Sequence, residues 1–88
     1  MKPINFEGAN VQIAKDQEEY MTLPALYDPV VGGNQVGQVT CVWKPDNEER
    51  KAIAKGANIG LSIWTFNGPL QPLSMFATTA KEIPDEEG

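Results

Sequence analysis

GQVTCVWKPDNEERKAIAKGANIGLSIWTF, residues 37–66, reads as strand, short helix, strand, and the rest of the chain is arranged around it. It holds both tryptophans and the only cysteine. Its middle carries the clearest helix signal. Asp46 is a preferred N-cap, and Glu49 stands three residues on, which is the capping-box spacing. Glu48 and Glu49 lie in the first turn and Lys51 and Lys55 later, so the charges complement the helix dipole. Gly56 follows as a C′ residue. The spacing predicts a helix over 46–55 whose apolar side is small: Ala52, Ile53 and Ala57.

On either side the pattern has period two. Over 36–43, Val39, Cys41 and Trp43 share one face, and Val36, Gln38, Thr40 and Val42 the other. Both faces are partly apolar, so a central strand is expected, with Trp43 in the core. Over 58–66, Ile59, Leu61, Ile63 and Thr65 alternate with Gly60, Ser62, Trp64 and Phe66. This is the strongest strand signal in the chain, and its isoleucine and leucine face is assigned to the core. Asn67-Gly68 is a strong hairpin signal. Residues 70–78 are expected to return as an edge strand, because Pro72 cannot donate to a ladder.

Toward the N-terminus, Ile4 and Phe6 alternate as a short edge strand. Asn10–Ala14 is a half-buried strand. Lys15–Glu19 is a charged turn or one helical turn, and Glu19–Leu23 alternates again until Pro24 limits it. Asp28–Gln35 is a loop in which Gly32 and Gly33 tolerate positive φ. It is expected to join residues 20–27 to 36–43 as an antiparallel hairpin. The fold class is therefore α+β: a small antiparallel sheet of four to six short strands with one short helix. Residues 1–80 are read as a single small domain and 81–88 as a disordered acidic tail.

Composition excludes several function classes. Eighty-eight residues give a thin core. One cysteine leaves no internal disulfide, and there is no histidine, the commonest general base and metal ligand. The net charge is −5, and no concentrated basic patch suits a phosphate backbone, so nucleic acid is not expected as a partner. No apolar run approaches a membrane span, and the first residues lack a signal-peptide core. A free cysteine fits a reducing cytoplasm. A thin core without staples points to a homo-oligomer.

Candidate sites are few. Asp16, Glu18 and Glu19 form either a carboxylate or hard-cation site or a solvated turn. Cys41 near Lys44 is either an activated thiol or a structural cysteine packed with its neighbours. Trp64 and Phe66 beside Gly60 and Ser62 form either a shelf for a planar ligand or partner side chain, or a second core layer. Lys44, Arg50, Lys51 and Lys55 are either an anion site or solvated charges.

Ala14-Lys15-Asp16-Gln17 followed by Glu19-Tyr20 and Leu23-Pro24, Cys41 near Trp43-Lys44, and Thr65-Phe66-Asn67 followed by Pro69-Leu70-Gln71-Pro72 form a set. With these motifs the chain resembles a family of short open reading frames of bacteriophages and mobile elements, from about Lys2 to Pro72. Val42 between Cys41 and Trp43, and the polar helix, depart from the family's pattern. The resemblance implies no catalytic residue. It implies a virus-encoded accessory protein in the cytoplasm of a bacterial host. The expected function is non-enzymatic, with no cofactor: binding and neutralising a host factor, either a defence protein or a small nucleotide-like signal. The contact residues would be Trp64, Phe66, Tyr20, Lys44, Arg50, Thr65 and Asn67. The alternatives are a minor structural component of the phage particle and a small hydrolase using Asp16 and Glu19.

Overall fold

The computed structural model describes residues 1–16 and 22–83. Among the described residues five short strands form two antiparallel sheets and one helix follows the last strand, which is a small α+β fold. The strands are β1 (Lys2–Ile4), β2 (Val11–Ile13), β3 (Leu23–Asp28), β4 (Gln38–Thr40) and β5 (Val42–Lys44), and the helix is α1 (Asn47–Ala54). β2, β3 and β4 form one sheet in that order, and β1 pairs with β5 in the other.

β3 is long because its two halves serve different neighbours. Leu23–Ala25 pair with β2, and Leu26–Asp28 pair with β4. At Pro24 the strand has a neighbour on one side only, so the missing N–H interrupts no continuous three-strand ladder. The Asn10 side chain extends the β2 edge. Its Nδ2 donates to the Tyr27 carbonyl at 3.0 Å, and its Oδ1 accepts from the Tyr27 N–H at 2.7 Å. The loop after β3 closes as the sequence implies. Asp28 Oδ1 accepts from the Val30 N–H. Val31 and Asn34 exchange two backbone hydrogen bonds around Gly32 and Gly33, both at positive φ.

The expected central strand over 36–43 is broken at Cys41. Its first part, β4, is an edge of the three-stranded sheet. Its second part, β5, pairs with the chain's first strand, Ile4 against Val42 and Pro3 against Trp43. That register turns Val42 inward. Ile4, Phe6 and Val42 are buried together, with Ala9, Leu26 and Ala80 packed against them. Trp43 therefore is not core. It is 49% exposed, which corrects the face assigned to it. Cys41 is half-buried.

Lys81–Ile83, expected to belong to a disordered tail, are docked. The Ile83 N–H donates to the Asn5 carbonyl at 2.8 Å, and the Glu7 N–H donates to the Lys81 carbonyl at 3.2 Å. Phe6 and Glu82 form a one-residue antiparallel bridge. The rest of that tail, 84–88, lies outside the described residues, as do Gln17–Met21, where Glu18, Glu19, Tyr20 and the start of an expected strand fall.

α1 is capped at both ends. The Glu49 N–H donates to the Asp46 carboxylate, and the Glu49 carboxylate accepts from the Asp46 N–H, both at 2.8 Å. At the far end the Gly56 N–H reaches the Ile53 carbonyl and the Ala57 N–H the Ala52 carbonyl, each at 2.9 Å. This is the Schellman pattern, with Gly56 at φ 103°. No residue of the helix is buried, so its caps matter more than its packing.

The largest departure from expectation is at 58–66 and 70–78. Neither segment is in a sheet. Period-two patterning marks a chain with an apolar face to cover, and among the described residues no strand pairs with it. Ile59, Leu61 and Ile63 are exposed rather than core.

Two stability predictions follow from these contacts. Asp46→Ala and Gly56→Ala should each lower stability by about 1 kcal/mol in thermal melts. Ending the chain at Ala80 removes two backbone hydrogen bonds beside Phe6. At about 1 kcal/mol each, the melting temperature should fall by roughly 5–15 °C. An unchanged melt would show that Lys81–Ile83 contribute nothing.

Candidate functional site

Thr65, Phe66 and Asn67 form a tight turn. The Gly68 N–H donates to the Thr65 carbonyl at 2.9 Å, and Phe66 and Asn67 both have positive φ, 53° and 66°. These φ signs match the primed turns that suit hairpins, but the centre lies one residue before the Asn67-Gly68 pair expected to form it. Positive φ is uncommon for a residue as large as phenylalanine. The turn places the Phe66 ring against Trp64 edge to face, with centroids 6.3 Å apart and planes at 79°. Such pairs add about 0.5–1.5 kcal/mol beyond burial. Both rings nevertheless stand in solvent: Trp64 is 83% and Phe66 84% exposed. Four of the seven expected contact residues, Trp64, Thr65, Phe66 and Asn67, thus come together on one turn.

Lys44 and Arg50 lie elsewhere. They share a cleft of about 290 Å³ with Ile4, Trp43, Ala80 and Glu82, and no turn residue lines it. Lys44 Nζ is 2.8 Å from the Glu82 carboxylate. The Arg50 Nε donates to the Pro45 carbonyl at 3.1 Å. Lys51 lies 3.9 Å from Glu48. The cationic group is partly neutralised within the chain, which weakens it as an anion site. Tyr20 falls outside the described residues. Among the described residues no three His, Cys, Asp or Glu side chains converge as metal ligands would. Asp16 lies exposed in the turn after β2.

A second cleft, of about 510 Å³, was not read from the sequence. Its walls are Trp43, Ala52 and Ile53 on one side and Ile59, Leu61 and Met75 on the other. The small apolar side of α1 faces it. The available signal was Trp43 beside the helix start, but the core assignment of that residue hid it.

Among the described residues three groups titrate away from their usual range. The Glu49 carboxyl is lowered by the hydrogen bond from the Met1 amino group, then by the Asp46 N–H. Glu82 is lowered by its hydrogen bond with Lys44 and that lysine's charge. Burial pushes the Cys41 thiol up, the opposite of what a nucleophilic thiolate needs.

The chain matches no protein-family model. No curated protein matches it, and no solved structure does either.

The Glu82 shift carries a sign. A lowered carboxyl stabilises the fold above the unfolded-state value, and that contribution is lost as pH falls through the folded value. Lys44→Gln should therefore lower the melting temperature near neutral pH. The gap should shrink as pH falls below the ordinary glutamate range and close once Glu82 is protonated in both chains. A gap constant across the range would show that Lys44 acts through packing alone. Cys41 should alkylate more slowly in the folded chain than in denaturant at the same pH. Equal rates would place the thiol in open solvent.

Proposed function

We propose that the chain is a virus-encoded accessory protein without catalytic activity, which acts in a bacterial host by binding a host factor through the Trp64–Phe66 turn. The observation that carries this reading is the pair of rings, both more than four-fifths exposed on one hydrogen-bonded turn. Exposed large apolar groups of this kind mark interaction sites, and tryptophan is enriched among residues that dominate binding energy. Thr65 and Asn67 flank the rings with polar groups, as an interface rim does. The resemblance to short phage reading frames supports the viral setting.

Of the two host factors considered, a protein fits better than a small nucleotide-like signal. Small molecules are held in concave sites that bury most of their surface. Trp64 and Phe66 are too exposed to form such a site. The cleft beside Lys44 and Arg50 is concave, but Glu82 sets a negative charge within it.

The test is mass spectrometry of what co-purifies with the tagged full chain from infected cells, with Trp64→Ala in parallel. One host protein should be enriched with the native chain. Its affinity should fall about 30-fold or more for Trp64→Ala, as for a hot-spot residue, while the variant still melts cooperatively. Recovery of the chain at stoichiometric level in purified particles would favour the structural role instead. Identical partners for both chains would remove the turn from the reading.

A further inference from the structure

From Gly56 to Ala80 there is no charged residue, although the chain as a whole carries 19. This stretch contains the two alternating segments that lack strand partners. Within 58–79 the Gly68–Thr65 hydrogen bond is the single backbone pair among the described residues. Apart from Trp64 and Phe66, the large apolar side chains here are 46–64% exposed. The segment is tied down at both ends, by the Schellman cap of α1 and by the docking of Lys81–Ile83.

The whole chain has 7625 Å² of accessible surface. A folded monomer of this mass exposes about 5,100 Å², so the excess is about 2,500 Å². Ten residues at the full unfolded value amount to about 1,600 Å², so the ten undescribed residues are too few to supply it. The radius of gyration is 14.8 Å, against about 12 Å for a compact chain of this length. The excess left to the rest of the chain, about 900–2,500 Å², is on the scale of one partner's share of an obligate interface, about 1,000–2,500 Å².

We infer that residues 58–79, outside the 64–67 turn, are the contact surface for a second copy of this chain, paired segment against segment. Two observations select a second copy over an unrelated partner. The first is the thin core. Ile4, Phe6, Ala25 and Val42 are the buried hydrophobic residues among those described. So small a core needs its cover from the moment of folding, and another product of the same gene is always present. The second is charge. Two copies of a chain of charge −5 repel. A neutral surface lets them meet without adding to that repulsion, and 56–80 is such a surface. Loss of charged residues is also the compositional mark of an interface core. Ile59, Leu61 and Ile63 face the copy, and Trp64 and Phe66 remain at the turn. The inference does not rest on host binding and can fail separately from it.

The test uses the full chain at two concentrations. Light scattering after size exclusion at about 100 μM should give two or more chain masses, and the melting temperature should rise with concentration. Amides of 58–79 should exchange at least tenfold more slowly at about 100 μM than after dilution to dissociation. Leu61→Asp with Ile63→Asp should shift the chain to monomer. Should that variant fail to fold, concentration-dependent exchange in the native chain still decides. A monomer at about 100 μM would overturn the inference, and so would an oligomer whose 58–79 amides exchange equally at both concentrations.

Discussion

Phe6 sits where three distant stretches of chain meet. β1 leads into it, Val42 of β5 packs beside it, and Glu82 bridges across its backbone. It is 4% exposed in a protein with very few buried side chains. Both ends of the described chain are anchored there. Closing loops of this length costs conformational entropy before any contact repays it. The fold therefore depends on a contact that cannot form locally. The three-stranded sheet, by contrast, assembles from neighbours in sequence through the β3–β4 hairpin.

The break at Cys41 makes this closure possible. A strand running unbroken over 36–43 would stay in one sheet. With the break, β4 remains beside β3 while β5 crosses to β1. Trp43 then turns outward, and the helix start at Asp46 is carried with it. This is how α1, Trp43 and the 57–61 segment come to wall one apolar cleft. The capping box acts at the same junction, because it fixes where strand ends and helix begins.

The local features were legible because they rest on side chain–backbone chemistry within a few residues. Asp46, Glu49 and Gly56 act as their spacing implies, and so do Asp28, Gly32 and Gly33. β2 and the hairpin followed from alternation. What was not legible is which face is covered and by what. Alternation over 36–43 shows two faces and does not say that Val42, rather than Trp43, meets Ile4. It also shows an apolar face over 58–66 without saying where the cover lies. The docking of Lys81–Ile83 was hidden for a related reason. Its hydrogen bonds use backbone atoms, to which the acidic side chains give no clue. The aromatic pair was anticipated, but its turn is centred on Phe66-Asn67 rather than Asn67-Gly68.

The same stretch that defeats the sequence reading explains how the two proposals fit one chain. The sequence alternation over 59–64 sets Ile59, Leu61 and Ile63 apart from Trp64, and the turn brings Phe66 against Trp64. A face of branched aliphatics suits permanent burial, since it has no polar atom to satisfy. An indole and a phenyl ring on a hydrogen-bonded turn suit recognition, because aromatic side chains bring large area with few rotatable bonds. Self-association through the first face would hold the turn in place without covering it. It would also present one Trp64–Phe66 pair per chain, so a dimer would offer two. Two linked sites raise the apparent affinity for any host assembly that can engage both. A small chain with a thin core would thereby gain both its missing cover and a bivalent binding surface from one uncharged segment.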